Sequence, residues 1–571
     1  PVNPVTPVAP EATFWNGGSV KADGTISGGD GVWRNTHTNW TTSDASLSAS
    51  FALGKTAFFL GNAGTVLIDN SQGQAKAAGL VFGNSDGKSY VVRGDSLQAS
   101  SDKLTVQVGD GTAQGASISA VIDSQITQGD ADTSLVKTDA GTLTLSGDNT
   151  YTGGTTVSNG TLLVTGDMSR ATGGVSVGNG AALGGTGVVG GTVSVNDGGT
   201  LTSTTKGGDT LTVTGDVALS QQSRLLSVYN GDKTGLVHAQ GAAAVAGTQV
   251  FVAKAPVVIG KHYTVLTANN GVAGKFNALA TNINGTAYIA PQVGYTQQSA
   301  YVYVGRTEQS FAGGTRNQTA VGHALDAAPL DNQIMQAVAG MTVAQSRHAE
   351  DALSGEIHAS VKTALIQDAD GIRDAALTRL SSAEDCTGLL SATDVKTGKR
   401  LHNTCSNDWV MWGRGFGGFG RNGAQQGYAG MSHTTGGWIM GADKQFGAWR
   451  AGGLVSYGYD SFSLSGGRYS SGHANNISLG VYGGRDFGNI ALRLGASYTH
   501  NALNTRRTVF APGMNLGRYN SDYSGGTAQT FAELAYKARY HGVHMEAFGN
   551  VAYVNQWTGN FSEHGGAAAL K

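Results

Sequence analysis

Over the first three hundred positions, apolar and polar residues alternate in short runs. Examples are Thr65-Val66-Leu67-Ile68-Asp69, Leu104-Thr105-Val106-Gln107-Val108, Gly141-Thr142-Leu143-Thr144-Leu145 and Gly160-Thr161-Leu162-Leu163-Val164. Gly174-Val175-Ser176-Val177, Gly191-Thr192-Val193-Ser194-Val195 and Leu211-Thr212-Val213-Thr214 continue the series. Each run has period two and is bounded by Gly, Asn or Asp, which predicts short strands joined by tight turns. A strand that short has little inward face to bury. Stacked coil on coil, such strands share one continuous core, and each backbone group pairs with the coil above or below. A spacing of roughly 9 to 20 residues between runs suits a right-handed parallel β-helix, although a β-sandwich array needs similar spacing. The solenoid is favoured by the small-residue turns, by the near absence of Cys and Pro, and by internal likeness. Asn159-Gly160-Thr161-Leu162, for example, is echoed by Asp197-Gly198-Gly199-Thr200-Leu201.

Residues 317–381 change period. Leu353, Ile357, Val361 and Leu365 fall at i, i+4, i+8 and i+12, and Ile372, Ala376 and Leu380 repeat the spacing. That is one apolar stripe of a helix, and glycine gives way to alanine as helix propensity requires.

Strands return from 408 to 556, now longer and rich in aromatics. In 489–499, Ile490, Leu492, Leu494, Ala496 and Tyr498 share one face, with Arg493, Ser497 and Thr499 on the other. In 527–539, Ala528, Ala532, Leu534, Tyr536 and Ala538 oppose Gln529, Glu533, Lys537 and Arg539. In 543–553, Val543, Met545, Ala547, Val551 and Tyr553 oppose His544, Glu546 and Asn550. Strands with an apolar face, a charged face and aromatics near their ends are what a lipid-spanning barrel needs. A half-exposed soluble sheet would share the alternation. The pattern predicts strands at 408–420, 433–447, 449–462, 474–487, 489–501, 526–540 and 542–556.

Composition sharpens this picture. Glycine supplies 88 of 571 residues while proline supplies only 8, so neither collagen nor a Pro-rich linker fits. Charged residues are 13%, about half the usual share. The net charge of −2 excludes nucleic-acid binding driven by overall charge. No stretch of 18 apolar residues offers a transmembrane helix, which leaves barrels untouched. The chain opens at Pro1 with neither Met nor signal peptide and is expected to be a fragment of a longer product.

The order of β-helix, helix and barrel resembles the type V secretion (autotransporter) family of Gram-negative bacteria. Three stretches carry the likeness. The run from Leu135-Val136-Lys137-Thr138 through Asn149-Thr150-Tyr151-Thr152-Gly153-Gly154-Thr155-Thr156-Val157 looks like a passenger-associated transport repeat. Leu353-Ser354-Gly355-Glu356-Ile357-His358-Ala359-Ser360 looks like the helical stretch before the family's β-domain, and Trp409 through Gly420 looks like that domain's first strand. The resemblance implies a mainly β fold in four parts: a Pro-rich spacer at 1–10, a β-helix passenger stem at 11–310, a helical linker at 311–407, and a partial antiparallel transmembrane β-barrel at 408–571. Within the stem, 175–305 falls where the family places its folding-nucleating region. The family barrel has twelve strands, so the seven expected here leave it about five short.

The function implied is outer-membrane export of an adhesin-like β-helical passenger to the cell surface. The alternative is the stalk and translocator of an exported enzyme, a subtilisin-like protease or esterase, whose catalytic domain lies upstream. The implied partners are outer-membrane lipid, the barrel-assembly machinery, periplasmic chaperones, and host or other cell surfaces through the passenger. No nucleic-acid partner is expected. In an exported protein Cys386 and Cys405 are expected to form a disulfide. No catalytic residue, cofactor or metal site is expected.

Several motifs compete for attention. Gly94-Asp95-Ser96-Leu97 matches an esterase tetrapeptide, but no passenger histidine has an Asp three positions before it, so a β-helix turn is expected. Arg93, Gly94 and Asp95 form a candidate cell-binding tripeptide. Arg493, Glu533, Lys537 and Glu546 are expected to face the lumen as a solvated wall or to pair with the linking helix. Trp15, Trp33 and Trp40 are expected to cap the start of the β-helix rather than bind sugar. Asn269-Asn270 and Asn475-Asn476 resemble the Asn-Asn site at which some family barrels cut themselves. Neither lies in the linking helix, so no self-cleavage is expected.

Overall fold

The computed structural model describes residues 11–384 and 409–571, apart from 85, 205, 426, 467 and 542. The 1–10 spacer, Cys386 and Cys405 lie outside these residues. The chain forms two compact units. One comprises residues up to Gly285 with Ile289–Arg306, the other Thr286–Tyr288 with Thr307–Lys571.

The first unit is a parallel β-helix with three faces. Successive coils each add one short strand to each face, as in Val175–Val177, Ala182–Gly185 and Val188–Val189, then Val193–Val195, Thr200–Thr202 and Thr210–Val213. The seven short runs named above all become strands on these faces. Register makes the core. Leu143, Leu162, Leu183, Leu201 and Leu225 pair one above another on one face. Val175, Val193, Val217 and Ala243 do so on a second. All of these are buried, and period two keeps the intervening Thr and Ser outside. Antiparallel pairs close both ends. Trp40–Thr41 runs antiparallel to Phe14–Trp15 and to Ser48–Ala49, and the hairpin Ile289–Tyr295/Ser299–Arg306 lies against Tyr263–Ala268. Reversing strand direction stops the stacking and leaves no long parallel edge for another chain to join. Trp15, Trp33 and Trp40 are fully buried at the first end and pack edge-on with Phe51 and Phe59.

The second unit holds four helices: α1 (Arg316–Ala327), α2 (Gln333–Ala339), α3 (Val343–Leu353) and α4 (Ile357–Glu384). Thr315 and Thr342 each open a helix with a full capping box, closed by Gln318 and Gln345. Seven antiparallel strands follow: β1 (Val410–Asn422), β2 (Met431–Phe446), β3 (Trp449–Leu464), β4 (Ser470–Phe487), β5 (Ile490–Ala511), β6 (Met514–Tyr540) and β7 (Val543–Thr558). They pair in chain order around α4, which packs against β2 through β7.

The expected faces hold. Leu479, Val481, Leu494, Tyr498, Leu534, Tyr536, Val551 and Tyr553 are exposed on the outer surface, whereas Arg493, Ser497, Thr499, Gln529 and Glu533 are buried against the helix side. At one end β2–β3 and β4–β5 are joined by two-residue turns. At the other, longer connections span 423–430 and 465–469. Short turns at one rim and longer loops at the other are the asymmetry of outer-membrane barrels.

Two expectations need correction. The stripe from Leu353 to Leu365 is not one helix, because the chain breaks at Ser354-Gly355 between α3 and α4. Strands 489–501 and 526–540 are too short as expected. β5 and β6 run on to a turn at 512–513 because alternation persists: Leu503, Thr505, Arg507, Val509 and Ala511 are all buried. Arg506 and Arg507 lie beyond the expected strand bounds, and they keep the alternation: Arg506 is exposed and Arg507 buried.

Val213 is fully buried and pairs with Val189 and Ala239 on neighbouring coils. Val213→Asp would place an unpaired carboxylate in that stack, at a cost of several kcal/mol. We expect the β-helix to become protease-sensitive, while Thr212→Asp on the half-exposed face stays resistant. Equal resistance of both variants in limited proteolysis would refute this assignment of the core.

Candidate functional site

Three clusters of polar side chains are built with more care than solubility requires. The first lies in the β-helix. Lys137 is fully buried, and its Nζ donates to the carbonyls of Thr138, Asp139 and Asn159 at 2.8, 2.7 and 3.1 Å. Burial pushes this ammonium down to about 8. Three carbonyls use its three protons, so the lysine ties one coil corner to the next. Asn149 is also buried; it accepts from the Ile126 amide at 2.8 Å and donates to the Gly147 carbonyl at 2.9 Å. The Tyr151 hydroxyl meets Thr155 Oγ1 at 2.7 Å. The long repeat is therefore a set of corner fasteners.

The second cluster is the lumen around the C-terminal half of α4. Arg379 donates to both oxygens of Asp443 at 2.7 and 3.0 Å. Arg450 and the Tyr482 hydroxyl donate to the same carboxylate at 2.7 and 3.0 Å. Arg493 is 1% exposed, and its Nη1 reaches Glu533 at 2.7 Å and Glu546 at 2.5 Å. Lys537 pairs with Asp486 at 2.9 Å, nearer the turn rim. The four expected lumen charges thus sit on β5, β6 and β7, and these bonds run strand to strand rather than to water. Ile372, Ala376 and Leu380 pack on Ile439, Leu454, Tyr482 and Phe531, so the helix fills the space with apolar contact as well.

The third cluster lies at the loop rim, where α3 turns into α4. Gly355 has φ +66°, and a Cβ there would strike Leu570. Only glycine makes this corner without strain. Around it, Glu356 accepts from the Ala429 amide at 2.6 Å and from Arg468 Nε at 2.9 Å. Arg468 also holds Asp351 at 2.5 Å. His358 hydrogen-bonds Glu563 at 2.9 Å and Tyr523 at 3.3 Å, stacked on Phe561. Arg507, itself buried, donates twice to Glu563 and to the carbonyls of Ala352 and Ala568. Two loops, the extended β5–β6 hairpin and residues 559–571 therefore converge on Leu353–Ser360. Burial alone would raise the Glu563 carboxyl, but His358 and Arg507 outweigh it and hold it at about 2.

The other expected residues lie apart from these clusters. Arg93 and Gly94 are the exposed end of a half-buried strand, and the Asp95 carboxylate accepts from the Asn70 amide at 2.8 Å. The Ser96 carbonyl accepts from Asn70 and Gln74, as in a structural turn. Asn475-Asn476 lies inside β4. Sequence reading missed Arg379, Asp443, Arg468, Arg507, Asp460 and Glu563. A signal existed for three of them, since Asp443, Asp460 and Arg507, like Arg450, occupy the inward parity of apolar-faced strands, where a charge must be paired.

The Glu563 carboxyl is depressed from 4.5, so the stability it contributes is complete above 4.5 and drains away as pH falls toward about 2. The full effect is on the order of 3 kcal/mol. We expect hydrogen-exchange protection of the 352–360 amides to fall across that window, and to be low and pH-independent there in Glu563→Gln. Flat protection in the wild-type chain would show that the cluster does not hold α3 and α4.

Comparison with known proteins agrees with this geometry. Residues 411–571 match the autotransporter beta-domain family, and residues 135–164 match the passenger-associated transport repeat. The chain is 29% identical to an extracellular serine protease of Serratia marcescens over 76% of its own length and 45% of the relative's. A second Serratia marcescens extracellular serine protease is 27% identical over the same shares. The Adhesin BmaC autotransporter of Brucella suis biovar 1 (strain 1330) is 41% identical over 27% of this chain and 4% of its own length. The chain thus spans less than half the length of the serine proteases it matches. An outer-membrane position for the sheet and a surface position for the passenger follow from the domain match. The protein joins autotransporter passenger sequence to an autotransporter beta-domain.

Proposed function

We propose that α4 and the strands act as the outer-membrane anchor and export device for the β-helix, which is displayed at the cell surface as an adhesin-like passenger. One observation carries this reading. Glu356 and His358, at the start of α4, are held at the loop rim, whereas Arg379, near its end, pairs with Asp443 close to the two-residue turn after β2. The backbone therefore passes once through the lumen, from the loop rim to the turn rim, before β1 begins. A helix that enters at the loop rim and ends at the turn rim is the direction that export toward the loop side would leave. The outer belt of Leu479, Val481, Leu534 and Val551 supplies the lipid face. Insertion is assigned to the barrel-assembly machinery with periplasmic chaperones. The low charge of the stem suits a passenger threaded unfolded and folded outside, where each coil offers its edge to the next.

A second reading has its own support. The Serratia match covers 76% of the chain, more than residues 411–571 can supply, so it extends into the passenger. On that reading the β-helix is the stem beneath an exported serine protease whose catalytic part lies outside these residues. No catalysis is assigned to the stem itself.

The test is protease shaving of intact cells that express this chain with an epitope at the exposed turn near Gly87. We expect the epitope to be cleaved from intact cells, and a buried variant such as Leu201→Asp to reduce the folded, surface-exposed passenger several-fold. An epitope that resists shaving until the outer membrane is permeabilised would overturn the export reading.

A further inference from the structure

α4 carries two apolar stretches, Ile357–Leu365 and Ile372–Leu380, each packed on lumen side chains. Between them Asp368 occupies the helical position that continues the buried stripe, three after Leu365 and four before Ile372. It lines one cavity with Thr435 of β2 and Asn476 of β4; Thr435 is the strand partner of Asp460 on β3, and Asn476 donates to Asp460. A carboxylate here costs burial energy that a leucine would not, unless it is paired.

The surroundings are arranged about Asp460, which is fully buried. Thr527 Oγ1 donates to Asn501 Oδ1 at 3.0 Å, Asn501 Nδ2 donates to Asn476 Oδ1 at 2.8 Å, and Asn476 Nδ2 donates to Asp460 Oδ2. All donors in this chain point toward Asp460, so its Oδ2 is a carboxylate end. Yet Asp460 Oδ1 and Asp368 Oδ2 are both buried without a partner. The cavity beside Asp368, about 30 Å³, is lined by hydroxyls, amides and apolar groups, with Asp368 its one ionisable side chain among the described residues.

Several neighbouring charges are paired with one another. Asp370 pairs with Arg373 on α4. Arg379 and Arg450 hold Asp443. Arg493 on β5 holds Glu533 on β6 and Glu546 on β7. His433 of β2 lies against Gly420, toward the loop rim, with its Nδ1 buried and in no hydrogen bond to either carboxylate. Among the described residues neither Asp368 nor Asp460 has an ion-pair partner, and two adjoining carboxylates without one do not both ionise in such a place.

We propose that Asp368 and Asp460 hold one proton between them, and that this acid–carboxylate bond is the positioning contact that sets the register of α4 in the lumen. It rests on the reading of a filled lumen. The proton bridges the two orphaned oxygens, Asp368 as donor and Asp460 as acceptor, and the amide relay stabilises the charge that remains. The polar break thus has a purpose that a continuous apolar stripe lacks. Apolar side chains let a helix slide by a turn, whereas a buried hydrogen bond between two defined atoms admits one register.

The experiment is infrared spectroscopy of the full chain in detergent micelles, with isotope-labelled aspartate. At neutral pH we expect a protonated-carboxyl band that disappears in Asp368→Asn and in Asp460→Asn. Asp368→Asn keeps a donor and should retain wild-type protection of the α4 amides, and should remain protected at alkaline pH, where the wild-type chain loses protection at least tenfold. Asp368→Ala should lose it at every pH. Absence of the band from the wild-type chain, its persistence in both variants, or its replacement by a calcium-dependent, chelator-sensitive shift would overturn the shared proton. Labelling of Ile372→Cys by a maleimide separates the two claims. Fast labelling of the native chain overturns the filled lumen and the proposal with it; slow labelling without the band overturns the proposal alone.

Discussion

Every backbone N–H and C=O in a strand needs a partner, and both units are solutions to that single requirement. In the β-helix the strands are two to six residues long in most coils, too short to fold as isolated hairpins. They are viable because each lies in register on the strand of the preceding coil. In the second unit the strands reach 27 residues and pair antiparallel, because a lipid-facing surface offers no water to satisfy an unpaired group. Parallel stacking and antiparallel hairpins thus divide the chain by environment. Side chains then specialise: Thr and Ser outside the β-helix, and Leu, Val and Tyr outside the sheet.

That requirement creates a second one. A sheet with an apolar outer face must put its polar residues inside, and the helix passing through must match them. The matching is uneven along α4. Its N-terminal end is fixed at the loop rim through Arg468, Arg507 and Glu563, and its C-terminal half is fixed through Asp443. Apolar side chains fill the space between, interrupted at Asp368. Hydrogen bonds specify position here, while apolar contact supplies most of the burial. The same division holds in the β-helix, where leucine ladders provide the core and Lys137, Asn149 and Tyr151 fasten its corners.

The two stretches that carry the resemblance hold their positions for different physical reasons. The repeat at 135–164 contains the fasteners of a coil corner. The stretch 353–360 has a glycine that turns left-handed, together with a glutamate and a histidine that meet partners far along the chain. Passenger identity is a separate matter. The relatives include both an adhesin and serine proteases.

The sequence by itself determined the alternation, and therefore the strands, their outward and inward faces and the helical stripe, because period two and period 3.6 are local properties of neighbouring residues. The resemblance that named the family was also legible, since its motifs are contiguous. What only the tertiary structure decided is which charges meet. Arg507 finds Glu563 across 56 positions, Glu356 finds Arg468 across 112, and His358 finds Glu563 across 205. The length of β5 and β6 and the break at Gly355 belong with them. No local pattern distinguishes a paired inward arginine from a solvated one; burial and partner are set only when distant strands close around the helix.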